Sequence, residues 1–144
     1  MRLYNILREK GGRVLDIAPE KSVKEAIDTL VEHNIGALLV ISSGKPAGII
    51  SERDILRLCS RDPQSVHTTT VREVMTQDLI IGKADDEVEE TMAVLTEAHI
   101  RHLPVMDGEN IAGMISIGDL VKSQMQERTV TILHLRDYIA GNTR

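Results

Sequence analysis

The chain has 144 residues, 42% of them apolar and 27% charged, and 17 Lys and Arg against 22 Asp and Glu leave a formal net charge of −5, the make-up of one soluble domain. Aromatic residues amount to 1%, two Tyr with no Phe or Trp, which removes base stacking, the usual device for holding single-stranded nucleic acid. An acidic chain without a basic run is also a poor match for duplex nucleic acid or an anionic membrane, because that affinity depends on neutralising many phosphates.

The chain opens on a short helical turn, Leu3-Tyr4-Asn5-Ile6-Leu7, followed by an apolar segment, Arg13-Val14-Leu15-Asp16-Ile17, that reads as a strand. A helix comes next. Ser22 and Glu25 form an S-x-x-E capping box, and Val23, Ala26, Ile27, Leu30 and Val31 make an amphipathic stripe. Two apolar runs, Ala37-Leu38-Leu39-Val40-Ile41 and Ala47-Gly48-Ile49-Ile50, flank Ser42-Ser43-Gly44-Lys45-Pro46, which is hairpin chemistry. A second helix starts near Ser51 and contains the single Cys59, set among Ile55, Leu56 and Leu58 as a packing residue. One cysteine forms no intramolecular disulfide, and no apolar targeting or spanning segment is present, so a reduced, cytoplasmic protein is expected.

After a polar, Pro-bearing joint, Asp62 to Thr70, the same grammar returns. A turn at Val71-Arg72-Glu73-Val74-Met75 precedes a strand at Asp78-Leu79-Ile80-Ile81, a helix with Val88, Thr91, Met92 and Leu95 on one face, a hairpin around Asp107-Gly108-Glu109-Asn110, and a helix from Ser116. Residues 22–57 align without a gap on 87–122, an offset of 65, with 12 of the 36 positions identical. This is a tandem duplication of one unit that would be marginal alone, and two packed copies can share a core. The expected organisation is a single module: repeat 1 over about 3–60, a linker over 61–70, repeat 2 over about 71–126, and a C-terminal helix over 127–142 carrying Ile132, Leu135 and Ile139. The fold class is α+β, two β-α-β-β-α repeats.

Two constellations carry polar chemistry. Gly-x-Ile-Ser-x-x-Asp occurs at Gly48 to Asp54 and again at Gly113 to Asp119, where a strand turns into a helix. Ser51 with Asp54, and Ser116 with Asp119, explain themselves as helix caps. A strand-to-helix junction also presents N–H groups and a hydroxyl to a phosphate, and a carboxylate to a ribose diol. The second constellation is Arg101 and His102, where repeat 1 has Gly36 and Ala37. A cation and a switchable imidazole at a strand start suit an anion, and equally suit two solvated side chains on a strand edge. His99 and His102 lack further ligands at metal-binding spacing, so no metal is expected. No phosphate-binding glycine loop, zinc-protease helix or nucleophile elbow is present, and no catalytic residues are assigned.

The duplicated Gly-hydrophobic-x-Ser-x-x-Asp after a hydrophobic hairpin resembles the tandem CBS-domain pair, or Bateman module, of the stand-alone bacterial type, over essentially the whole chain. The resemblance implies pseudo-twofold packing of the repeats and two clefts for adenosine ligands, AMP foremost, with ATP, NAD(H) and S-adenosylmethionine as alternatives. It implies that Asp54 and Asp119 bind ribose and that Ser51 and Ser116 face phosphate. Arg101 and His102 would contact phosphate beside Ser116 and Asp119, with Ile100 and Met114 in the same set. Adenine in that cleft would lie near Leu15, Ile35, Gly36 and Ala37. The Ser51/Asp54 cleft departs from the pattern, with Arg53 as its only obvious local cation, so weaker binding, or binding of part of a larger dinucleotide, is expected there. The family's habits imply a regulatory, non-enzymatic homodimer acting on an unidentified protein. The competing reading is a structural dimerisation or docking module with empty clefts.

Overall fold

A computed structural model describes residues 1–11 and 14–140. Arg13, placed by sequence at the start of the first strand, and residues 141–142 of the expected terminal helix lie outside them. The elements are α1 (Leu3–Lys10), β1 (Asp16–Ile17), α2 (Val23–His33), β2 (Ala37–Ser42), β3 (Lys45–Ser51), α3 (Glu52–Arg61), α4 (Val71–Val74), β4 (Gly82–Lys83), α5 (Val88–Ala98), β5 (His102–Asp107), β6 (Asn110–Ser116) and α6 (Ile117–Ile139), with a 3-10 turn at Pro63–His67.

Two three-stranded sheets result, ordered β1-β2-β3 and β4-β5-β6. In each, the first strand pairs parallel with the second and the hairpin is antiparallel. The register shift between Val40 and Ile41 recurs between Val105 and Met106, 65 residues later. The duplication thus reaches down to a β-bulge, where one extra residue bends the strand.

The chain divides into two compact units, residues 13–81 and residues 1–12 with 82–144. Their boundaries differ from those read off the repeat, because the segment leading into each repeat packs in the other unit. Leu3 N–H donates to the Asp86 carbonyl and Tyr4 N–H to that of Ala84, while Val71 N–H donates to Lys21 and Arg72 N–H to Pro19. These bonds satisfy early helix N–H groups that have no partner within the helix itself. Unit 13–81 buries Val23, Leu38, Val40, Ile50 and Val71; the other buries Leu3, Val88, Leu95, Leu103, Ile115 and Leu120. Each core is aliphatic, as the composition requires.

Several local expectations shift. The strand placed at Asp78–Ile81 lies instead at Gly82–Lys83, since Gly82 and Lys83 are the residues in register with Val105 and Met106, and Ile80 and Ile81 are exposed. Val31, assigned to the buried stripe, is 75% exposed; at 100° per residue it has drifted roughly 80° round the helix from Val23. The joint over 61–70 is structured: Asp62 Oδ1 accepts from Gln64 N–H, and Val66 is buried. The terminal helix is the uninterrupted continuation of α6, exposed at every residue from Met125 to Ala140.

Candidate functional site

Both Ser-x-x-Asp strings form the strand-to-helix corners that their capping chemistry dictates. At the first, Ser51 N–H and Oγ–H donate to Asp54 Oδ2 at 2.9 and 3.0 Å, and Asp54 N–H returns to Ser51 Oγ at 3.4 Å. At the second, Ser116 N–H donates to Asp119 Oδ2 at 2.8 Å and Asp119 N–H to Ser116 Oγ at 3.1 Å. These reciprocal caps satisfy otherwise orphaned helix donors and hold a carboxylate against the positive end of the helix.

The hairpin register gathers the neighbouring candidates by unit. Ala37 is the cross-strand partner of Ser51, and the Gly36 carbonyl accepts from Glu52 N–H at 3.0 Å. Leu15 and Ile35 pack against the same unit's core, and Arg53 is exposed on the first turn of α3. In the other unit His102 is the cross-strand partner of Ser116, and the Arg101 carbonyl accepts from Ile117 N–H at 2.8 Å. Ile100 is half-buried against that core, Met114 half-buried on β6, and the Arg101 side chain exposed. Arg101, His102, Ser116 and Asp119 therefore share one sheet end, and Leu15, Ile35, Gly36 and Ala37 belong with Ser51 and Asp54. His99 closes α5 in the left-handed region at φ 56°. Among the described residues no three His, Cys, Asp or Glu side chains converge as metal ligands.

What completes each corner was not legible in the motif. Asp54 is buried, and Thr76 Oγ1 donates to its Oδ1 at 3.2 Å. Lys10 Nζ donates to Asp119 Oδ2 at 2.8 Å and to the Met114 carbonyl at 3.0 Å. Burial pushes the Asp119 carboxyl up, but the Lys10 hydrogen bond, the Ser116 N–H and the Lys10 charge outweigh it and hold its pKa below the ordinary Asp value. Asp119 therefore stays ionised, an acceptor only. The Lys10 ammonium and the Ser116 N–H both bond Asp119 Oδ2. Sequence offered one hint of Lys10, a cation in the last turn of an N-terminal helix, which the helix dipole favours.

A family model described as the CBS domain matches residues 13–61 and 71–126. A mitochondrial CBS domain-containing protein of Arabidopsis thaliana is 34% identical over 148 residues, covering 96% of this chain and 72% of its own length. A crystal structure of a CBS-domain containing protein from Agrobacterium tumefaciens superposes with a TM-score of 0.82 at 31% identity, covering 86% of this chain and 99% of that one. A CBS-domain pair solved with 5-methylthioadenosine and S-adenosyl-L-methionine shares the fold at a TM-score of 0.75 and 24% identity, covering 88% of this chain and 98% of that one.

Proposed function

Because the chain belongs to the CBS-domain family, we propose that it is a non-catalytic regulatory module that binds an adenosine nucleotide and passes the change to a partner protein. AMP is the leading ligand, with ATP, NAD(H) and S-adenosylmethionine behind it. The observation that carries this reading is the second corner, where an ionised Asp119 and Ser116 stand at the same sheet end as Arg101 and His102. A ribose diol needs an acceptor and a phosphate needs donors and a cation; these four residues supply both. The adenosine ligands in the related CBS pair add support from fold alone. An aliphatic slot for adenine is in keeping with a chain that has two Tyr and no other aromatic residue.

The module works as a homodimer in the cytoplasm. Support for a second copy comes from α6, where Met125, Ile132 and Ile139 recur every seven residues and Val121 and Leu135 belong to the alternate series, all exposed, with Arg128 interrupting that series. A seven-residue apolar seam fits another helix carrying the same repeat. No described helix is long and apolar enough to cross a membrane, and the lone Cys59 is half-buried.

Calorimetric titration with AMP tests the site. Asp119→Ala should weaken binding at least about tenfold, the loss of charge-assisted bonds to the ribose, and Asp54→Ala should do less, because Gly36 and Ala37 stand where the second corner has Arg101 and His102. Equal losses would remove the asymmetry. Absence of a thermal shift with any of the four ligands would favour the docking-module reading, since binding to the native state raises the melting point by mass action.

A further inference from the structure

We propose that Lys10 makes the Ser116/Asp119 corner selective for anionic over neutral adenosine ligands. The inference rests on the nucleotide reading of that corner. It comes from comparing how two corners with the same motif are closed.

In unit 13–81 the backbone closes the corner. The short helix α4 ends at Val74, Met75 turns to extended backbone at ψ 152°, and Thr76 exchanges two bonds with Ile49: Thr76 N–H to the Ile49 carbonyl at 2.8 Å and Ile49 N–H to the Thr76 carbonyl at 3.0 Å. The Thr76 hydroxyl then reaches Asp54. In the other unit the corresponding helix α1 runs on to Lys10. Met114 stands 65 residues after Ile49 and Asp119 65 after Asp54, and one ammonium serves both, bonding the Met114 carbonyl and the Asp119 carboxylate. A single side chain does what a main-chain N–H and a hydroxyl do in the first copy.

The two closures differ in how easily they open. Asp54 is buried, and the residue whose hydroxyl it accepts from is fixed beside it by a reciprocal backbone pair. Releasing Asp119 needs only rotation of a flexible four-carbon stem whose side chain is 43% exposed, and an ion pair that exposed holds weakly. A ribose diol approaching Asp119 competes with Lys10 for the carboxylate. Once displaced, the ammonium remains beside the corner and pairs with a phosphate at Ser116. A neutral nucleoside displaces the same ion pair and returns nothing.

The two ligands therefore respond in opposite directions to loss of the charge. Calorimetry of the full chain with AMP and with adenosine should show Lys10→Met binding AMP about tenfold more weakly and adenosine about twofold more tightly, with Lys10→Arg keeping the preference for AMP. Urea melts of both variants check the fold, and Lys10→Arg carries the test should Lys10→Met unfold: a preference for AMP abolished by Arg would then count against a role for the charge. Losses of equal size for both ligands would mark Lys10 as merely structural and overturn the inference, as would unchanged AMP binding in Lys10→Met. Wild-type protein that binds neither ligand would instead overturn the nucleotide reading itself.

Discussion

At the scale of single residues, one geometry recurs at both carboxylates. Asp54 and Asp119 cap their helices, each accepting from the N–H of the serine three residues before it. Asp119 has a pKa held below its unfolded value, so it contributes stability that is fully present above the unfolded value and is lost as pH falls through the folded one. Asp119→Asn should therefore be less stable than wild type near neutral pH, by no more than about 1 kcal/mol given the exposure of Lys10. The gap should close as urea melts move from about pH 6 to about pH 3. A gap that persists in acid would assign the loss to packing. The capping pairs were legible in sequence because their partners are three residues apart. Lys10 was not, because it meets Asp119 across 109 residues.

At the scale of elements, the leading helices show how equivalent positions acquire different sensitivities. Gly48 and Gly113 occupy the same place in β3 and β6. A Cβ on Gly48 would run into the Thr76 carbonyl at 2.8 Å and the Met75 sulfur at 2.7 Å, whereas a Cβ on Gly113 would meet only the Leu7 side chain. Backbone yields less readily than a side-chain terminus. Gly48→Ala should cost about 2 kcal/mol in urea unfolding and Gly113→Ala less, about 1 kcal/mol; the reverse order would refute this account of the edges. The hairpins were readable from apolar runs flanking turn residues, and α2 and α5 from the 3.6-residue period. The strand displaced to Gly82–Lys83 was not, because apolar Leu79, Ile80 and Ile81 carry a stronger local signal than the two residues that the parallel ladder recruits.

At the scale of the molecule, each unit is assembled from one repeat's sheet and the helix that leads into the other. α6 extends beyond its unit's core, with Leu120 and Ser123 its last buried residues. If a second copy covers its seam, Ile132→Asp should convert a dimer to a monomer in sedimentation equilibrium without lowering the melting point of the monomer, since Ile132 is 52% exposed. A dimer that survives the substitution would place the interface elsewhere.

The family, the duplication, the aliphatic cores and the two capped corners follow from sequence alone, because each is written in spacings of a few residues or in one constant offset of 65. Which helix joins which sheet, and what lies on each carboxylate, only the tertiary structure decided. Those are contacts between residues far apart in the chain, chosen by where α1 and α4 find carbonyls for their N–H groups and by α1 running on to Lys10 where α4 stops at Val74. The same motif thus becomes two different corners, one closed by backbone and one by an ammonium.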